Sequence, residues 1–473
     1  MKNKRIHLYT PLWAIGSILA LLLASCQPLV TAPEKSPPPQ TAPSVAPDDW
    51  PTYMRSIVRS GFNAAETSIT ATTVSNLKLH WIDQGSSRVF SQPIVAHNLI
   101  FWGSGDGYEH ATDLQGHPVW ATNLGWSSSG CPGNGDDKNG VLNTPAVASV
   151  RVHGKPTLVL FVGGGNARFY ALNALTGAIL WSTALGTPPA TFLWSSPAFY
   201  QGHIYEGVAS LSGCPQVQGG LVQMDAGTGK VLHTFDTVPD GCLGGSVWGS
   251  PTLDVANNAL YFGTGNPAHC ASPEPHAVAL VKLRLSDLAL LDAWQVPRSQ
   301  QIPDSDFGTT PTLFEATIDE VQHQLIGLAN KNGIYYAFDR MAIGHGPVWQ
   351  VSLGGIYSIA SSAWDGTHLY VGGRDTTYQG LSCEGTVSAL DAASGAFVWR
   401  HCLGDGPVLG AITEIPGVVI VAEAAHILAI ATADGRTLFR YTDQQASFVG
   451  PASVSHGAVY IGSYSGGLYA FGL

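Results

Sequence analysis

Charge is scarce in this chain. Asp, Glu, Lys and Arg make up 12% of its 473 residues, about half the roughly 25% of an average soluble protein. That shortage excludes a coiled coil, a helix bundle laced with ion pairs, and a charge-swollen disordered chain. Positive charge is the scarcer sign. The 22 Lys and Arg against 33 Asp and Glu leave a formal net charge of −11, and no basic patch with interleaved aromatics appears. A protein that tracks nucleic-acid phosphates is therefore excluded. Several chemical signatures are also missing. No Cys-x-x-Cys-His occurs, so no covalent c-type haem is expected; His-Glu-x-x-His, Gly-x-Ser-x-Gly and P-loop patterns are absent as well. What the chain has in plenty is turn formers and aromatics, with 55 Gly, 30 Pro and 13 Trp. The balance reads as a large, turn-rich, all-β protein.

The first 48 residues read as an address and a tether. Lys2, Lys4 and Arg5 precede an apolar run from Pro11 to Ala24 that is too short for a comfortable membrane span, the pattern of a secretory signal. Leu23-Ala24-Ser25-Cys26 closes it and resembles the lipobox of bacterial lipoproteins. In that class the cysteine is acylated and becomes the mature N-terminus, so residues 1–26 are expected to be a lipoprotein signal that anchors an extracytoplasmic body through Cys26 alone. Residues 27–48 carry seven prolines among Ala, Ser and Thr. Such a segment buries no core, and as polyproline II at roughly 3.1 Å per residue it would reach about 70 Å. Residues 49–473 form the body. Its six cysteines, Cys131, Cys214, Cys242, Cys270, Cys383 and Cys402, suggest disulfides in an exported protein. Cys383 and Cys402 lie within one repeat and are expected to pair; the other four are left unsorted.

The body is self-similar. Tyr170-Ala-Leu-Asn-Ala-Leu-Thr-Gly-Ala-Ile-Leu-Trp181 is repeated by the segment from Val387 to Trp399, and more loosely at 108–120, 221–235, 279–294, 335–349 and 427–439. Leu468-Tyr-Ala-Phe471 is a truncated last copy. Each copy follows an apolar strand that mostly ends in Gly. Asp or Asn opens a turn, Thr/Ser-Gly supplies its left-handed residue, and a second strand ends in Trp. A four-stranded unit at this spacing cannot bury both faces alone, but units stacked around an axis can. Eight copies predict an eight-bladed β-propeller of four-stranded blades. Leu77-Lys-Leu-His-Trp81 has the form of the strand that the last copy lacks, so both ends of the body are expected to close one blade. The periodic Trp120, Trp181, Trp349 and Trp399 are expected to dock blade on blade.

The Ala-x-Asp-x-x-Thr-Gly-x-x-x-Trp unit resembles the tryptophan-docking repeat of quinoproteins, the pyrroloquinoline quinone (PQQ) family. Three segments resemble the active-site motifs of its alcohol dehydrogenases, including the polyvinyl-alcohol type: Gly244-Gly-Ser-Val-Trp248-Gly249 followed by Thr264-Gly265-Asn266, Asp304-Ser-Asp306-Phe-Gly308, and Ala329-Asn-Lys331-Asn-Gly333. The resemblance implies that Trp248 floors the quinone and that Asn266, with Asp306, serves a calcium ion. It further implies that Asp306 takes the alcohol proton and that Lys331 polarises the quinone carbonyl. An indole face suits a planar ring system and a hard cation takes oxygen ligands. Some family features are missing. No Cys-Cys pair exists, Cys214 stands where the family places a calcium-ligating glutamate, and Gln218 replaces its neighbouring arginine. Glu206, on a strand, is not expected to substitute.

Other clusters read as structural. Asp136-Asp-Lys-Asn-Gly140 is taken as a solvated turn, and His269, Cys270 and His276 as loop histidines beside a disulfide. The reading is a lipid-anchored, extracytoplasmic enzyme that oxidises a small or polymeric alcohol with bound PQQ and Ca²⁺ and passes electrons to an external acceptor. The alternative from another class is a non-catalytic propeller that binds an envelope protein, as the barrel-assembly scaffold lipoprotein of this family does.

Overall fold

The computed structural model describes residues 46–84, 87–131, 138–268, 270 and 273–473. The signal segment with Cys26, most of the tether, Asp136, Asp137 and His269 lie outside the described residues. Among the described residues eight antiparallel blades follow one another along the chain, seven of them four-stranded sheets and the third a four-stranded blade to which the short strand Thr191–Phe192 adds a fifth, and together they form an eight-bladed β-propeller. Blade 2 is typical, with strands Ala146–Val152, Lys155–Gly163, Arg168–Asn173 and Ile179–Ala184 running from the axis outward. The last blade takes Lys78–Asp83 as its outer strand, paired from Lys78 opposite Gly472 to Asp83 opposite Leu468 with a register shift between Leu79 and Trp81. Joining the two ends of the body in one sheet removes the free edges that an open ring would expose.

The repeat residues explain the ring. Trp120 Nε1 donates to Ala174 O of the next blade at 2.9 Å, and Trp181 does the same to Ala226 O at 3.1 Å. Trp349 and Trp399 repeat the bond to Ala392 and Thr432, and Trp81 to Leu114 O. The glycine of the neighbouring Thr-Gly turn is required twice over. Gly177 adopts a φ of +71°, and a Cβ there would lie 2.7 Å from the Trp120 ring. These tryptophans are spent on docking.

Two features of the axis do not belong to the Trp repeat. The first is a strap, residues 49–63, that runs beneath the ring. Trp50 pairs with Val95 of blade 1, Pro51 O accepts from Val147 N, Ile57 O from Leu253 N and Gly61 O from Glu414 N. The fully buried Arg59 guanidinium donates five hydrogen bonds, to Pro251 O, Thr52 Oγ1, Tyr53 O, Ser196 O and Pro197 O. The second is a spiral of hydroxyl staples between inner strands. Gln92 N donates to Thr144 Oγ1 (2.8 Å), Thr144 N to Ser196 Oγ (3.0 Å) and Ser196 N to Ser250 Oγ (2.9 Å). Ser250 N continues to Thr310 Oγ1 (3.0 Å) and Thr310 N to Ser361 Oγ (2.9 Å). Two residues before these positions stands a collar around the axis: Phe90, Leu142, Trp194, Trp248, Gly308 and Ile359, completed by Leu409 and Val449. Trp248 thus lies off the docking register but on a second one.

Candidate functional site

The loops above the collar between blades 2 and 5 surround a cavity of about 590 Å³. Trp248, Asn266, Asp306 and Lys331 all line it, together with Asp304, Trp194, Ser212 and Gly213. Four separate segments carry these side chains, and the segments are bonded directly to one another. Gly265 N donates to Ser246 O at 2.8 Å, Gly245 N to Asn266 O at 2.8 Å, Phe307 N to Thr264 O at 3.2 Å and Lys331 N to Asp306 O at 3.1 Å. Buried Asn330 adds a side-chain bond to Ser305 O at 2.5 Å. Loops laced in this way hold their side chains without help from a ligand, which is what preorganisation requires.

The side chains form one polar chain across the cavity. Trp248 Nε1 donates to Asp306 Oδ2 at 3.2 Å. Asp306 Oδ1 lies 2.7 Å from the Lys331 ammonium. That ammonium also reaches both oxygens of Asp304 at 3.1 Å, and Asn266 Nδ2 donates to Asp304 Oδ1 at 2.7 Å. The Lys331 nitrogen sits 4.8 Å from the centre of the Trp248 ring, within cation–π range. Burial pushes the Asp306 carboxyl above the ordinary aspartate value, against the opposing pull of Lys331. Burial works to lower the Lys331 pKa, but the Asp306 and Asp304 carboxylates outweigh it and leave it above the ordinary lysine value. The two carboxylates differ in access, with the Asp304 side chain 45% exposed and that of Asp306 only 10%. Asp306 is the held group and Asp304 the one that can reach outward.

The donor set fits a hard cation. Two carboxylates face one ammonium, which leaves a net negative charge in the cavity. The Asn266 nitrogen is committed to Asp304, so its carbonyl oxygen is the atom left to ligate. Asn266, Asp304 and Asp306 thus offer oxygen donors alone, the chemistry of a calcium site. A flat indole, an ammonium and the hydroxyls of Ser210, Ser212 and Ser246 along the same wall fit a planar, acidic, oxygen-rich ligand such as PQQ, once a divalent cation offsets the negative lining.

The remaining site residues fall as follows. Cys214 is bonded to Cys131, and with the Ser129 Oγ to Ser212 Oγ contact at 2.9 Å this pins the Ser212-Gly213 wall of the cavity to the loop between blades 1 and 2. Cys242 pairs with Cys270, and Cys383 with Cys402 as the spacing predicts. Glu206 is fully buried on its strand; its nearest charge is Arg59 of the strap, and burial holds its carboxyl well above the usual range. It does not line the cavity. Gln218 donates to Val238 O at 2.9 Å instead of facing a ligand. His276 packs against Phe235 away from the site. The sequence motifs contain Asp304 and Gly308 but gave neither a role, and they gave none to Trp194 or to the Ser212-Gly213 wall. The Asp304-x-Asp306 spacing was the one available signal.

A family model described as outer membrane protein assembly factor BamB matches residues 110–280 and 331–473. Polyvinylalcohol dehydrogenase of a Pseudomonas species is 26% identical over 459 residues, covering 85% of this chain and 68% of that protein. Quinohemoprotein alcohol dehydrogenase of Comamonas testosteroni is 26% identical over 338 residues, covering 62% of this chain and 45% of that protein. The chain therefore spans from under half to about two thirds of the length of these curated relatives. The crystal structure of the Comamonas testosteroni enzyme superposes with a TM-score of 0.71 at 17% identity, over 90% of this chain and 80% of that one. A likeness at that identity speaks to the fold alone.

Proposed function

The chain belongs to the PQQ-type propeller family described as outer membrane protein assembly factor BamB, and from that premise we propose that it is a PQQ- and Ca²⁺-dependent alcohol dehydrogenase. The observation that carries this reading is the unbroken chain Trp248–Asp306–Lys331–Asp304–Asn266 around one cavity. Trp248 would floor the cofactor, and Asn266, Asp304 and Asp306 would hold the cation. When bound, the quinone supplies the two-electron acceptor that takes hydride from the carbinol carbon. The protein's part is proton handling and charge placement. Asp306, fixed by the Trp248 N–H, accepts the hydroxyl proton as general base, and its raised pKa brings it closer to the range in which such a base is effective. The Lys331 ammonium, held between two carboxylates over the indole, presents a fixed positive charge where negative charge develops. Exported location, with a lipid tether at Cys26, is supported by the signal-like start and by three disulfides; among the described residues no helix is long and apolar enough to cross a membrane.

The alternative is a non-catalytic scaffold for an envelope protein. It is favoured by the absence of any arginine among the described lining residues and by the disulfide-bonded Cys214 at the glutamate position. One experiment separates the two. The body is purified without residues 1–48, PQQ and Ca²⁺ are added, and tryptophan quenching is followed alongside dye-linked oxidation of an alcohol. Saturable quenching at micromolar PQQ with turnover is the expected result. No saturable quenching overturns the enzyme reading and leaves the scaffold.

A further inference from the structure

A second cavity of about 190 Å³ runs down the propeller axis and meets the first where Trp194 and Trp248 line both. Its upper wall is the collar, in which Leu142, Ile359, Leu409 and Val449 give the shaft an apolar lining. Deeper down come hydroxyls. Thr144, Ser196 and Ser250 are 2–4% exposed. Each of their oxygens accepts a backbone N–H from the preceding blade, and among the described residues nothing takes the hydroxyl hydrogens. Three oriented O–H donors are thus left around the shaft. Thr310 and Ser361 are different, since both meet the Tyr53 hydroxyl. Tyr53 belongs to the strap, so the shaft is blind at its lower end.

The lining sets the class of occupant. An apolar collar above unspent O–H donors calls for an aliphatic body with an oxygen acceptor at its far end. That oxygen must be neutral. The nearest cation, Arg59, already spends its guanidinium on five hydrogen bonds beneath the shaft, so a carboxylate there would be buried without a counter-charge. At about 30 Å³ for each water-sized group, the volume takes roughly six heavy atoms.

We propose that the axial shaft binds the chain of a linear aliphatic diol of about six heavy atoms, one hydroxyl resting on the Thr144–Ser196–Ser250 ring. That the other hydroxyl is then the one presented to Asp306 rests on the enzyme reading above; that the shaft binds the diol does not.

The test uses 1,4-butanediol as probe, titrated into cofactor-free protein with tryptophan emission as readout, Trp194 and Trp248 being the reporters. PQQ quenching is measured in parallel on the same protein. Saturable binding at millimolar probe is expected, with 1-butanol bound several-fold more weakly for want of the far oxygen. Leu409→Trp, which fills the shaft, is expected to weaken the diol at least tenfold and leave PQQ quenching unchanged; Val449→Phe serves the same purpose should the first variant not fold. A diol that binds while PQQ does not would uphold the shaft and overturn the enzyme reading. Absence of diol binding in folded protein, whether or not PQQ binds, or equal binding by a folded plugged variant, overturns the shaft.

Discussion

Gly308 is where the site tolerates least. An added Cβ would lie 2.1 Å from Trp248 Cη2, 2.5 Å from Cζ2 and 3.0 Å from Ile359 Cγ2. No ordinary contact is closer than about 3.4 Å between carbons, so in Gly308→Ala the indole must move by more than 1 Å on that rough scale. The same edge of the ring carries the 3.2 Å bond from Nε1 to Asp306, and displacing that edge breaks the bond first. Overpacking costs about 1–3 kcal/mol, and a hydrogen bond to a charged group is worth about 1.5–3 kcal/mol. Taken together the variant should lose about 3 kcal/mol. At about 2 cal/mol/K of unfolding entropy per residue, a body of this size would show a Tm lowered by only about 3–4 °C. The cofactor should respond far more, since the floor itself has shifted: we expect PQQ affinity from tryptophan quenching to fall at least tenfold, with a red shift in emission. Gly404→Ala, at a position with open space around it and an ordinary backbone, is the control and should change neither. Wild-type emission and wild-type PQQ affinity in Gly308→Ala would refute the assignment of Trp248 as floor.

Asp306→Asn should lower kcat by roughly 10²–10⁴, the usual worth of a general base, with PQQ quenching kept within a few-fold; equal losses in both would make Asp306 a packing residue only. Asp304→Asn should weaken cation binding by roughly 10–100-fold, read without turnover as Tb³⁺ luminescence sensitised by Trp248, and an unchanged titration would remove Asp304 from the site. Stability should fall as pH rises above about 4.5, because the buried carboxyls of Glu109, Glu206 and Glu414 keep their protons in the fold while the unfolded chain loses them. Burial pushes Glu414 up to about 10 and Glu109 well above the usual range. Each such group removes up to about 1.4 kcal/mol per pH unit until its folded pKa is passed, so Glu109→Gln should flatten the decline of Tm between pH 5 and pH 8, and an unaltered slope would count against it.

The fold was legible because each repeat states its own physics. Asp or Asn, Thr-Gly and Trp lie within a dozen residues, and the Gly that accepts a docking indole can be read beside the Trp that does the docking. Closure by Leu77–Trp81 was readable for the same reason, as a Trp strand without its own hairpin. The four motif residues could be picked out because each sits in a short local signature, and all four line one cavity. What escaped was set by contacts between distant segments. The strap joins residues 49–63 to inner strands as far as 391 residues away in the chain, with no periodicity to betray it. The collar repeats once per blade and the hydroxyl spiral in five of them, but the collar uses residues as different as Phe90, Gly308 and Val449, so composition hides the register. Asp304 received no role from the sequence because its partners, Asn266 and Lys331, come from other loops. The pairings Cys131–Cys214 and Cys242–Cys270 were open for the same reason.

The central claim is that an indole, an amide, two carboxylates and an ammonium act on one flat ligand and one cation. A crystal structure of the body grown with saturating PQQ and Ca²⁺ tests it most directly. Planar density against Trp248 and a spherical peak among the oxygens of Asn266, Asp304 and Asp306 are the expected result. A cavity filled by water alone, or a ligand bound elsewhere on the ring, would contradict it.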